Sequence, residues 1–121
     1  MIVDDEDSLR ELLAATFTRQ GYRTTTAASG LEAIELIGDR TRAFDAVLLD
    51  LNMPGAGGLD VLKVIRAVRP HTVTLIISGH ITAEVRKEFE ELGHRDFVQK
   101  PYRLGDVGRQ LRSLLAARMV G

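Results

Sequence analysis

At 121 residues the chain is long enough to bury one real core and too short for two. Apolar residues make up 45% and charged residues 27%, with a formal net charge of −1, so the bulk charge excludes an obvious nucleic-acid or membrane-surface binder. The absence of cysteine excludes disulfides, thiolate metal sites and cysteine nucleophiles together.

In chain order, short apolar runs alternate five times with longer segments of helical period. The first strand is predicted at Met1–Val3. This is short against the roughly 5–6 residues of an ordinary strand, so the chain is expected to begin inside it. Asp4 and Asp5 follow, and Glu6 and Asp7 read as first-turn acids of a helix over Ser8–Gln20. In that helix Leu9, Leu12, Leu13, Thr16 and Phe17 fall on one stripe. A second strand is predicted at Arg23–Ala27, and Ser29 with Glu32 reads as a capping box opening a helix over Leu31–Gly38. Strand Ala46–Leu49 runs into Asp50, and a third helix is predicted over Gly58–Val68. Strand Thr74–Ser78 comes next, then a helix over Ala83–Leu92 with Thr82 as its N-cap. Strand Asp96–Gln99 ends on Lys100-Pro101, and a last helix over Leu104–Met119 lines up Val107, Leu111, Leu114 and Leu115.

Val47–Leu49 and Leu75–Ile77 do not alternate with polar residues, which is the pattern of strands buried on both faces. Right-handed crossovers then give an α/β fold: a three-layer αβα sandwich, (βα)5 and flavodoxin-like, around a parallel five-stranded sheet of order 2-1-3-4-5. No linker or low-complexity segment interrupts it, so residues 1–121 read as one domain. The apolar runs are too short to span a bilayer, and no basic segment with a following apolar one opens the chain. A cytoplasmic protein is expected, with no membrane contact and no direct contact with nucleic acid.

Ligands of open α/β sheets bind outside the carboxyl ends of the strands. At those ends stand Asp4 and Asp5, Asp50, Ser78, and Lys100. Carboxylates brought together repel unless a cation neutralises them, and Mg²⁺ suits a shallow all-oxygen site that also takes phosphate oxygens. Such an ion bridges Asp50 and an incoming phosphoryl group, while Lys100 adds a positive charge and Ser78 a hydroxyl donor. Taken alone, Asp4 and Asp5 are an ordinary helix-capping pair, Lys100 a surface lysine and Ser78 a turn residue. Their grouping with Asp50 is what favours the functional reading.

The set VDDE (Val3–Glu6), LLDLNMPG (Leu48–Gly55), IISGH (Ile76–His80) and FVQKP (Phe97–Pro101) resembles the response-regulator receiver family from the first strand to the last helix. The resemblance implies that Asp50 is the phospho-accepting nucleophile and that Asp5 binds Mg²⁺ directly. It implies that Asp4 acts mainly through water and that the Asn52 carbonyl completes the protein ligands. Lys100 would contact the phosphoryl group, Ser78 would be the switch hydroxyl and Phe97 the switch aromatic. Pro101 would follow a cis peptide bond. Asn52 and His80 would flank the path of the hydrolytic water and tune the phosphorylated lifetime, although His80 reads equally well as an exposed loop histidine, and slow autodephosphorylation is expected. The implied partners are a histidine kinase or phosphotransfer domain, and a downstream protein met by the face of the fourth helix, fifth strand and fifth helix.

Three positions depart from the family pattern: Gly57-Gly58 where Asp-Gly is common, Ser78 for threonine, and Phe97 for tyrosine. None removes a catalytic group. An aspartate-nucleophile phosphatase of the haloacid dehalogenase type needs a general acid at position 52, where this chain has Asn52. A phosphate-independent binding module on the same fold is expected to have lost a pocket residue, and all are present. The stretches MPGAGGLD and FVQKPY also resemble receivers fused behind histidine kinases, so an origin in a hybrid sensor is favoured over a stand-alone single-domain regulator. Phe97 taken alone is a core aromatic, His71 and His94 read as solvated loop residues, and Arg109, Arg112 and Arg118 as a solvated helix face or part of a partner surface.

Overall fold

The computed structural model describes all residues except Asn52, 54–56, His80 and Gly121, and the backbone alone of Met119 and Val120. Its elements are β1 (Ile2–Val3), α1 (Asp7–Arg19), β2 (Thr26–Ala27), α2 (Gly30–Gly38), β3 (Ala46–Asp50), α3 (Gly58–Val68), β4 (Val73–Ser78), α4 (Ala83–Glu91), β5 (Phe97–Gln99) and α5 (Leu104–Val120). All strand pairs are parallel and the sheet order is β2-β1-β3-β4-β5, as expected.

The lack of alternation in β3 and β4 has the anticipated cause. Val3, Val47, Leu49 and Ile76 pack in one core with Ala33, Ile37, Val61, Leu62, Ile65 and Phe89 of α2, α3 and α4. Their neighbours Ile2, Leu48, Leu75 and Ile77 point the other way, into a second core with Leu13, Phe17, Val107 and Leu111 of α1 and α5. Successive strand side chains face opposite sides, and here each side is covered by helices.

Helix starts follow their local chemistry. The Ser29 hydroxyl accepts the Glu32 N–H at 3.2 Å, and Glu32 Oε2 accepts the Ala28 N–H, one residue beyond the usual capping box. The Thr82 hydroxyl accepts the Val85 N–H at 3.1 Å.

Four expectations need correction. The ladder of β2 covers only Thr26–Ala27 and not Arg23–Ala27, because β1 offers only Ile2 and Val3 as partners. In α1, Leu12 is 47% exposed and Thr16 turns its hydroxyl back to the Leu12 carbonyl, so the buried centre is Leu13 and Phe17 alone. Arg118 is half-buried and not simply solvated: its guanidinium reaches the Asp45 carbonyl at 3.0 Å and Oδ1 at 3.2 Å.

His94 is the largest departure, being buried with 2% exposure. Helix α4 ends in a Schellman turn, with Gly93 at φ +79°, its N–H on the Glu90 carbonyl and the His94 N–H on the Phe89 carbonyl. In that motif the residue after the glycine packs back onto the last turn, and His94 sits against Phe89 with ring centroids 6.0 Å apart. Its Nε2 is 2.9 Å from the Asp96 carbonyl oxygen, and burial pushes its pKa below the ordinary value.

Candidate functional site

Parallel strands of different length end together at one sheet edge, and each end delivers one polar group. Asp4 and Asp5 follow β1, Asp50 ends β3, Ser78 ends β4, and Lys100 follows β5. Carboxylate oxygens of Asp4, Asp5 and Asp50 lie within 4.8 Å of one another. Asp4 and Asp50 are buried and Asp5 is exposed, so the cluster has a floor of two acids and an open side. Lys100 Nζ stands 3.7 Å from Asp50 Oδ2.

Each group is held by its element. The Asp4 Oδ1 atom accepts the Glu6 N–H at 2.9 Å in an Asx turn that leads into α1. Arg10 of α1 donates from Nη1 to the Asp4 carbonyl at 2.8 Å and pairs through Nη2 with Asp7. Asp50 is the last residue of a five-residue ladder with β4, extended by the Leu51 N–H on the Ile77 carbonyl at 3.0 Å. Ser78 is fully buried, and its carbonyl accepts the Lys100 N–H at 2.7 Å, tying the lysine to β4. The Lys100–Pro101 bond is cis.

Helix α3 approaches this edge closely. A Cβ on Gly58 would lie 3.0 Å from Leu51 Cδ1, 3.1 Å from Leu51 Cα and 3.5 Å from the Asp50 carbonyl oxygen. Glycine at 58 therefore lets α3 start directly behind the residue that follows Asp50.

Phe97 is half-buried in an aromatic cluster, 5.5 Å from Phe89 and 5.4 Å from His94 between ring centroids. The Arg86 guanidinium lies 5.2 Å over its ring. Asn52 and His80 lie outside the described residues.

Two neighbours of the site were not anticipated. Arg10 gave no sign, since one arginine in a helix looks like any other. Tyr102 has a buried hydroxyl without a hydrogen bond. Burial first, then the carboxylates of Asp4, Asp50 and Glu6, push its pKa up to about 12, so it stays a protonated donor. Its place two residues after Lys100 was the available signal.

The donors are all oxygen, one carboxylate is open to solvent, and a lysine ammonium flanks the nucleophile candidate. That set fits a hard divalent cation that keeps part of its water shell. The large cavity of about 520 Å³ lies at the opposite, amino-terminal ends of the strands, lined by Met1, Phe17, Tyr22, Phe44 and Leu115 among others. It offers no cluster of acids, unlike the sheet edge that carries Asp4, Asp5 and Asp50. No helix among the described residues is long and apolar enough to cross a membrane.

Comparison with known proteins agrees with this geometry. Residues 1–112 match the response regulator receiver domain family. Sporulation initiation phosphotransferase F of Bacillus subtilis is 30% identical over 95% of this chain and 91% of its own length. A putative NtrX-like response regulator of Rickettsia felis is 34% identical over 84% of this chain, which spans only 22% of that longer protein. A CheX–CheY complex with BeF₃ and Mg²⁺ from Borrelia burgdorferi contains a chain that superposes with a TM-score of 0.84 at 28% identity, covering 93% of this chain and 85% of that one. The chain belongs to the response regulator receiver family of two-component signalling.

Proposed function

We propose that residues 1–121 act as one receiver unit in which Asp50 accepts a phosphoryl group from a phosphohistidine on a kinase or phosphotransfer partner. The observation that carries this reading is the meeting of three carboxylates within 4.8 Å, with Lys100 Nζ 3.7 Å from Asp50. An Asp50 oxygen attacks phosphorus in line with the imidazole nitrogen of the donor. The P–O bond forms as the P–N bond breaks, and the electron pair leaves with the histidine ring. Lys100 stabilises charge on the equatorial oxygens, and Ser78 donates its hydroxyl to one of them.

Asp5, exposed at the open side, is suited to bind Mg²⁺ directly, and buried Asp4 to act through water. When bound, the ion supplies positive charge that screens the carboxylates from the incoming phosphoryl oxygens. The CheY complex from Borrelia burgdorferi, with its BeF₃ and Mg²⁺, is consistent with this use of the pocket.

Ser78 drawn toward the phosphoryl group leaves room near β5, and Phe97 follows it, releasing its contact with Arg86 of α4. The face of α4, β5 and α5 is then changed for a downstream partner by a population shift. Incubation with acetyl phosphate and Mg²⁺ should add one phosphoryl group by intact mass, and chelation of the metal should prevent it. Equal labelling with and without Mg²⁺ would refute the metal-dependent reading.

A further inference from the structure

Arg10 is the fourth residue of α1, close to the end where the helix dipole disfavours a cation. An arginine there would ordinarily reach into water, yet the Arg10 side chain is only 15% exposed. Burying a guanidinium and fixing its long stem both cost free energy unless its donors are used.

The bonds it makes show the use. Nη1 donates to the Asp4 carbonyl at 2.8 Å, and Nη2 pairs with the Asp7 carboxylate at 2.5 Å. One planar fork thus bridges the segment leaving β1 and the first residue of α1. The Asp4 carbonyl belongs to the peptide group that joins Asp4 to Asp5. Asp5 is exposed, so this backbone and not packing sets where its carboxylate points. At the same residue, Asp4 Oδ1 accepts the Glu6 N–H at 2.9 Å. The segment that carries two of the three clustered carboxylates is therefore held at two points, one on the Asp4 side chain and one on its carbonyl.

We propose that Arg10 is a positioning residue of the acidic edge, its fork holding the Asp4–Asp5 peptide so that both carboxylates meet a cation in one arrangement. Partners that orient metal-binding groups commonly change affinity by about 10- to 100-fold when removed. Arg10 acts one step further back, through the backbone, and belongs at the lower end. This inference rests on the reading of the edge as a Mg²⁺ site.

The test is Mg²⁺ titration by calorimetry on the parent chain and three variants. Arg10→Met keeps much of the stem and removes the fork, and should bind about tenfold more weakly. The sign discriminates, because losing a nearby cation with no loss of position tightens binding at an acidic edge. Arg10→Lys keeps the charge without the fork and should also stay weaker than the parent. Ala14→Gly loosens α1 through helix propensity and touches none of these bonds, so it should bind like the parent. Equal or tighter binding by Arg10→Met overturns the proposal, as does parental affinity in Arg10→Lys, which would reduce the role to charge. A loss in Ala14→Gly as large as that in Arg10→Met also overturns it, since general loosening of α1 would then suffice. Should Arg10→Met fail to fold, Arg10→Lys and Ala14→Gly decide alone. A parent that binds no Mg²⁺ overturns the metal reading and this proposal with it, so the two failures are distinguishable.

Discussion

The imidazole of His94 stands edge-on to the ring of Phe97, with centroids 5.4 Å apart and planes at 78°. The residue that ends α4 thus helps to hold the aromatic of β5 in place. Burial lowers the His94 pKa, with Arg66 acting in the same direction and Asp96 opposing both. The folded value lies below the ordinary 6.5, so the unfolded chain takes up the proton first. Stability is full above that pH and is lost as pH falls below it. Urea midpoints measured from pH 8 down to pH 5 should therefore decline, and His94→Leu should flatten the decline. A parent midpoint that rises on acidification would contradict the buried neutral histidine.

Lys100 offers a prediction of two signs. Lys100→Ala removes the ammonium 3.7 Å from Asp50, so labelling by acetyl phosphate should slow roughly 100-fold, the scale of losing one charge-stabilising group. The same change removes a cation next to three carboxylates, so Mg²⁺ should bind several-fold more tightly. Stopped-time labelling and metal titration on one preparation check both. A variant with slower labelling and weaker metal binding would point to a collapsed pocket instead.

Gly58→Ala should destabilise the chain by about 1–3 kcal/mol, because the new Cβ meets backbone at Leu51 Cα, which cannot swing away like a side chain. Urea unfolding of the two proteins measures it. Gly57→Ala is the control, since a Cβ there meets nothing within 4 Å. Equal losses at both positions would deny the close approach of α3.

Asp4, Asp5, Asp50, Ser78 and Lys100 were legible in the sequence for one physical reason. Each stands where a short apolar run stops, and parallel strands bring all such stops to one edge. The apolar runs themselves fixed the sheet, because both faces of β3 and β4 are buried and leave no alternation to misread. Contacts that depend on side-chain reach across elements were not legible. Arg118 finds Asp45 from the far end of α5, and Arg10 finds the Asp4 carbonyl from the second turn of α1. His94 was misread as a loop residue although Gly93 just before it marks a helix C-terminus, and a Schellman turn carries the following residue inward.

The central claim is that Asp50 and no other acid of the pocket receives the phosphoryl group. An acyl phosphate is reduced by borohydride to an alcohol, which converts the labelled aspartate to homoserine. After incubation with acetyl phosphate and Mg²⁺, reduction and peptide mass spectrometry should therefore find homoserine at position 50, and Asp50→Asn should yield none anywhere in the chain. Homoserine at Asp4 or Asp5, or undiminished labelling of Asp50→Asn, would contradict the assignment.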